Sequence, residues 1–397
     1  MREFFAKFAA AVKAHKGRTV AICVTAFVLV AAIVSLSCLS AFVFNRFATG
    51  YVPTEEQLEA AKGQYDRVVI IGVDGTGKYP GEMLDDDPYS LPNFRKVFVD
   101  GFETGGTRIN ASVTYSGIAV YPTISAQNWT SMFRSVRPMY HGITGASANK
   151  DLSNGKQPNE KYPSFVKVFL DANPEAKVFS SCTWDAVNNG TIEDLDNVVK
   201  YNTTCEDVYK IANGDTSIVE SEEVMEYITD AVHFNGYADP DYSLRDLITV
   251  QRVIDATTSA EGKSDYKIAY MHLNQVDSAG HSYGYNKHAY ARAVSRVDDL
   301  IGRIYDAYEA EGMLENTLFI FCTDHGHRYL QDGPGHGGNS NVEVKVTFAI
   351  AGKTVKQGEP GKYVNTDLAP IVAYALGVKA SDTWQGRVPY GMFTLLG

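Results

Sequence analysis

Basic side chains are in short supply in this sequence. Lysine and arginine number 36 against 47 acidic residues, for a formal net charge of −11. Five of the cations, Arg2, Lys7, Lys13, Lys16 and Arg18, crowd into residues 1–18 beside the single acid Glu3. The remainder is therefore more acidic than the whole. A nucleic-acid-binding face needs a clustered basic patch, so no nucleic-acid polymer is expected as a partner. Small phosphorylated substrates stay open, because bound divalent cations supply positive charge locally. Cysteine is scarce as well, with five in the chain. Cys23 and Cys38 lie in an apolar run, and Cys322 ends the strand-like Leu318-Phe319-Ile320-Phe321-Cys322. Only Cys182 and Cys205 remain for a disulfide, should they lie in an oxidising compartment. There is no internal repeat and no low-complexity tract.

Charge is wholly missing from Thr19 to Phe44, which are rich in Val, Ala, Ile, Leu and Phe. About 20 apolar residues suffice to cross a bilayer, whereas a signal-peptide core needs only ~7–15. Residues 19–44 are therefore expected to be a retained transmembrane signal-anchor. The basic flank of residues 1–18 is expected to stay cytosolic, which would put the remainder outside the cytosol. Residues 45–65 read as a polar linker, with Thr54-Glu55-Glu56 opening a short helix. Asn110, Asn189 and Asn202 begin N-x-Ser/Thr triplets, relevant only where secreted proteins are glycosylated.

From residue 66 onward, short apolar β-branched segments alternate with helical patterns. Val68–Asp74, Lys177–Ser181, Lys267–His272, Thr317–Thr323 and Val346–Ala351 read as strands buried on both faces. Asn93–Val99, Pro163–Ala172, Ser221–Val232, Asn286–Glu311 and Asn365–Leu376 read as helices. The alternation predicts an α/β domain over 66–397: a mainly parallel central sheet with helices on both faces. The polar, tyrosine-rich stretch 150–262 is expected to supply a small cap over the site.

Seven residues carry the chemistry. Asp74 closes the first apolar strand, where open α/β sheets bind ligands. Asp324 and His325 follow the strand Thr317–Thr323, and Gly326 lets the backbone turn after them. Asp277 and His281 are four apart, on one face of a helical turn. His336 lies between glycines, in Gly335-His336-Gly337-Gly338. Ser125 precedes a helical pattern, Ala126 to Arg134. A hydroxyl there lies beside free N–H groups and the positive end of a helix, which suit a phosphate oxygen. Any one of these motifs alone is weak evidence: Ser125 could be an N-cap, and Asp277 with His281 a surface pair. Their joint order is far more specific, and six of nine histidines fall between His272 and His336. Three Asp, three His and one hydroxyl suit two zinc ions and a nucleophile. His141, His272, His288 and His327 read as structural or supporting residues, with His327 the strongest for a supporting role. Trp129 and Trp184 read as packing.

These motifs resemble the alkaline phosphatase superfamily and, within it, the type I phosphodiesterase/nucleotide pyrophosphatase family, over residue 66 to the C-terminus. The resemblance implies an alkaline phosphatase-like fold and two Zn2+ per chain. One would be held by Asp277, His281 and His336, the other by Asp74, Ser125, Asp324 and His325. The family usually has Thr-Phe-Pro-Asn-His at the nucleophile, where this chain has Ser125-Ala126-Gln127-Asn128-Trp129. Ser is the attacking residue of alkaline phosphatases in the wider superfamily, so the role carries over. Sulfatases need Cys or Ser followed by x-Pro-x-Arg, and Gln127 and Trp129 stand at those places. The family also sets a phosphate-holding Asn soon after a His-Gly-Ile segment. Here His141-Gly142-Ile143 has Asn149 as its nearest Asn, three positions late, so that role is not carried over.

The expected activity is cleavage of phosphodiester or pyrophosphate bonds through a phosphoserine at Ser125. The substrate would be a small nucleotide or a lipid head group. Alternatives are a phosphomonoesterase with the same site, and a membrane-anchored phosphotransferase for a phospho-head-group. A non-catalytic binding protein would be expected to lack donors, and none is missing.

Overall fold

The computed structural model describes residues 50–85, 89–235, 242–333 and 335–396. The expected basic tail and signal-anchor lie outside these residues. Among the described residues, no helix is long and apolar enough to cross a membrane.

The fold is organised by strand β1, Arg67–Val73, which is buried at every position. Side chains alternate along a strand, so Val68 and Ile70 enter one apolar layer while Val69, Ile71 and Val73 enter another. Each such side chain contributes roughly 1.5–3 kcal/mol on burial. Strand β1 is central, parallel to β6 (Tyr266–Leu273) on one side and β7 (Thr317–Cys322) on the other. Beyond β6, β4 (Lys177–Cys182) and β5 (Val198–Asn202) continue the parallel half. Beyond β7, β8 (Lys345–Gly352), β3 (Thr107–Ile118) and β2 (Phe102–Thr104) are all antiparallel to their neighbours. The sheet order is β2-β3-β8-β7-β1-β6-β4-β5.

The sheet is thus mixed: parallel over β7-β1-β6-β4-β5, as expected, and antiparallel from β8 outward, which was not expected. The segment Val346–Ala351 is a strand, but an antiparallel one. A parallel return needs a crossover, usually a helix. Among the described residues between β7 and β8, the only α-helical segment is the four-residue Asn341–Val344. Strand β3 was not foreseen, because its burial alternates and the register slips between Thr114 and Gly117.

Helices cover both faces. Helices α1 (Ser125–Arg134), α2 (Phe165–Ala172) and α8 (Leu368–Ala375) pack on the Val68/Ile70 face. Helices α3 (Cys205–Ala212), α4 (Glu222–Asn235), α5 (Ser243–Thr258), α6 (Gln275–Tyr283) and α7 (His288–Ala310) pack on the other. Within 150–262, strands β4 and β5 and helices α2, α3 and α5 belong to the sheet and its layers. That is more core than the small cap expected of this stretch.

Residues 50–65, assigned to the linker, are docked. Gly50–Tyr51 pairs with Val388–Pro389. Thr54 and Gln57 form a capping box on the helix Glu55–Ala61. The Tyr65 hydroxyl bonds Thr354 Oγ1 at 2.8 Å. Cys182 and Cys205 are both free, the first buried and the second exposed, so they form no disulfide. Burial pushes the Cys182 thiol up to about 12.

Candidate metal centre

The three neighbouring strands β7, β1 and β6 end on one edge of the sheet, and the donors follow directly from them. Asp74 is the residue after β1, Asp324 lies two after β7, and α6 starts two residues after β6. All seven residues expected at the site are brought to this edge.

Asp74 is buried, and its two oxygens have different work. Oδ2 accepts from Trp129 Nε1 at 2.9 Å and lies 3.1 Å from His272 Nε2. Oδ1 is left to face Ser125 Oγ at 3.4 Å and His325 Nε2 at 3.6 Å. Ser125 Oγ lies 3.0 Å from His325 Nε2. Ser125 is the first residue of α1 and Ile124 holds the N-cap position without a side-chain bond, so the hydroxyl is not a cap.

Ring tautomers are fixed by backbone carbonyls, which only accept. His325 Nδ1 lies 3.2 Å from Gly326 O, and His336 Nδ1 lies 2.6 Å from Thr123 O. Both Nδ1 atoms therefore donate, and both Nε2 lone pairs turn into the site. Burial, then each other's proximity, lowers the His325 imidazole well below its ordinary range, and burial lowers His336. Neutral imidazole is the form that binds a metal. The two rings stack with centroids 3.7 Å apart.

Asp324 shows what the site needs. Its Oδ1 accepts from the N–H groups of Gly75 and His325 at 3.1 and 2.9 Å. Its Oδ2 is buried without a hydrogen-bond partner, 3.1 Å from the His325 Nε2 lone pair. Burial, then Asp74, raises its carboxyl well above the usual range. In the ionised form the two would be acceptors pressed together without a donor, which is costly, and a cation between them removes the cost.

Asp277, on α6, lies 3.6 Å from His281 Nε2 and 3.7 Å from His336 Nε2. Those two Nε2 atoms are 3.2 Å apart. The fourth member of this group is His327, whose Nε2 is 2.8 Å from Asp277 Oδ1. Burial opposes ionisation of Asp277, but the His327 contact and the other imidazoles outweigh it and hold the carboxyl below its usual range. Donor atoms of Asp277, His281, His327 and His336 all lie within 4.8 Å of one another, as do those of Asp74, Asp277 and His325. Asp277 thus joins two groups that the sequence had kept apart. Oxygen and imidazole nitrogen in such groups fit zinc. The His281 side chain is 51% exposed, so the site opens to solvent there.

The backbone is shaped to allow this. Gly75 has φ +69°, and a Cβ on it would stand 2.7 Å from His327 Nε2. Gly326 is needed for approach rather than for turning, because a Cβ there would lie 2.0 Å from Val342 O. The His336 loop is tied down by Glu343, which accepts from Gly338 N at 2.7 Å and Arg328 Nε at 3.2 Å.

Three contributors were not foreseen. Trp129 was read as packing; it is buried in the core and also donates to Asp74. Asn149 Oδ1 accepts from Ala126 N at 3.0 Å, so its amide stands at the start of α1 beside Ser125 despite its late position. The apolar spacing Leu244, Leu247, Ile248 was the available signal for α5, which supports α6.

Comparison with known proteins gives the family and the fold. The sequence profile of the type I phosphodiesterase / nucleotide pyrophosphatase family matches residues 68–367. A GPI ethanolamine phosphate transferase 2 from Aspergillus fumigatus is 32% identical over 129 residues, covering 29% of this chain and 16% of that protein. Ectonucleotide pyrophosphatase/phosphodiesterase family member 1 from Rattus norvegicus is 22% identical over 279 residues, covering 68% of this chain and 26% of that protein. The chain therefore spans 16% and 26% of the length of these two relatives. Among solved structures, murine ectonucleotide pyrophosphatase / phosphodiesterase 5 superposes with a TM-score of 0.53 at 13% identity, covering 79% of this chain and 96% of that one.

Proposed function

The chain belongs to the type I phosphodiesterase / nucleotide pyrophosphatase family, and on that premise we propose that it cleaves phosphodiester or pyrophosphate bonds through a phosphoserine formed at Ser125. The reading rests above all on Ser125 Oγ, which sits at the first residue of α1 against Asp74 and His325. Asp74, Asp324 and His325, with Ser125, would hold one zinc ion, and Asp277, His281 and His336 the other. Two such ions supply Lewis acidity that lowers the hydroxyl pKa and balances charge on the leaving oxygen. The chain's own residues do the rest. Ser125 Oγ attacks phosphorus, and the bond from phosphorus to the leaving oxygen breaks. Water then attacks the phosphoserine and frees Oγ. Trp129 and His272 hold the outer oxygen of Asp74, so that its inner oxygen faces the nucleophile. Asn149 lies where an oxygen of the substrate phosphate would approach α1.

A phosphotransferase reading is favoured by the relatives named GPI ethanolamine phosphate transferases. It needs only an acceptor hydroxyl in place of water in the second step. The topology read from the sequence completes the proposal: a cytosolic tail at 1–18, a single span at 19–44, and the catalytic domain outside the cytosol. The purified chain should carry about two zinc ions by elemental analysis and lose activity to a chelator. It should release p-nitrophenol from bis-p-nitrophenyl phosphate faster than from p-nitrophenyl phosphate. Active protein without zinc would sink the metal assignment, and the reverse preference would favour the monoesterase. Release of product only when an acceptor alcohol is supplied would favour the transferase.

A further inference from the structure

Helix α6 carries Asp277 and His281, yet it starts without a cap of its own. Asn274 occupies the N-cap position in a helical conformation, and its side chain makes no capping bond. The first N–H groups of a helix need acceptors from elsewhere. Here they come from another helix. Asp246, buried on α5, accepts from Asn274 N at 2.9 Å through Oδ1 and at 3.1 Å through Oδ2. Its Oδ2 also accepts from Gln275 N at 2.9 Å. Strand β6 runs directly into this turn, so the same contact fixes where the strand ends and α6 begins.

We propose that Asp246 is a positioning residue, which holds the start of α6 so that Asp277 and His281 meet His336 in the geometry that binds metal. The inference rests on the metal reading given above. Outer contacts of this kind are worth about 10–100-fold in metal affinity. The fold contains its own control. Asp298, buried on α7, accepts from Asn93 N at 3.1 Å and Phe94 N at 2.6 Å. It holds the start of a helical segment that carries none of the proposed donors.

The test is zinc release from the full chain, followed by elemental analysis across a chelator series. In Asp246→Ala one of the two zinc ions should leave at about 10–100-fold less chelator, while the other leaves as in the wild type. Asp246→Asn keeps an acceptor oxygen and should fall between. Asp298→Ala should lower the melting temperature and leave both release midpoints unmoved. Unshifted release in Asp246→Ala would overturn the inference, as would an equal shift in Asp298→Ala. If Asp246→Ala does not fold, an unshifted midpoint in folded Asp246→Asn overturns it instead. Wild-type protein that holds no zinc would overturn the metal reading, and this inference with it.

Discussion

Replacing His327 by leucine should loosen the metal held by Asp277 without unfolding the chain. The imidazole is buried against the backbone of α6: a Cβ on Gly280 would lie 2.4 Å from the ring. Its Nδ1 has no hydrogen-bond partner, so its polar work is the 2.8 Å contact between Nε2 and Asp277 Oδ1. Leucine fills much of the space and removes that contact. A hydrogen bond to a charged group contributes roughly 1.5–3 kcal/mol. At 1.36 kcal/mol per tenfold, that is about a tenfold to 150-fold loss of affinity. The assay is the chelator concentration at which zinc leaves, with the melting temperature of the zinc-loaded protein measured alongside. His327→Gln restores a donor at similar reach and should recover most of the loss. An unchanged midpoint in His327→Leu would refute the reasoning. So would a glutamine variant as impaired as the leucine one, since the effect would then lie in packing.

Trp129→Phe keeps a buried ring but removes the donor to Asp74 Oδ2, and turnover should fall about tenfold or more; unchanged steady-state rates would show that His272 alone holds that oxygen. Burial pushes the Asp367 carboxyl up to about 7 from its ordinary 3.8. The folded chain therefore keeps a proton that the unfolded chain has lost, and this stabilisation is full below about pH 4 and fades as pH rises through about 7. Thermal unfolding of Asp367→Asn should accordingly vary less between about pH 4 and about pH 7 than that of the wild type. Protease added to intact cells should release an active fragment that begins before the docked Gly50, leaving residues 1–18 protected; a freely soluble mature protein starting near Ser40 or Ala48 would contradict the anchor.

The centre of the fold was legible because its signals are local. Strands β1, β6 and β7 are uninterrupted apolar runs, and a carboxylate with no packing role stands just beyond two of them. The donors announced themselves by the same logic, through Asp-His spacing and flanking glycines. What escaped was set by partners distant in sequence. Strand β3 alternates polar and apolar residues and contains Gly117, so a search for doubly buried runs passes over it. Helix α5 lies in a polar stretch next to many tyrosines, although its apolar residues keep helical spacing. The direction of β8 depends on the path of the loop before it, which composition does not record. Trp129 and Asp246 reach Asp74 and α6 across 55 and 28 positions of sequence, and no local pattern encodes such contacts.

The most direct measurement is to find the residue that receives the phosphoryl group. Full-length protein mixed with a phosphodiester and quenched in acid should yield a phosphorylated peptide, by mass spectrometry, with the modification on Ser125. Ser125→Ala should lack that adduct and lose turnover by about a thousandfold or more, with zinc content and melting temperature close to the wild type, because Ser125 caps nothing. Ser125→Thr, which keeps the hydroxyl, should retain partial activity. A phosphoryl group trapped on any other residue, or near-normal rates in Ser125→Ala, would contradict the assignment.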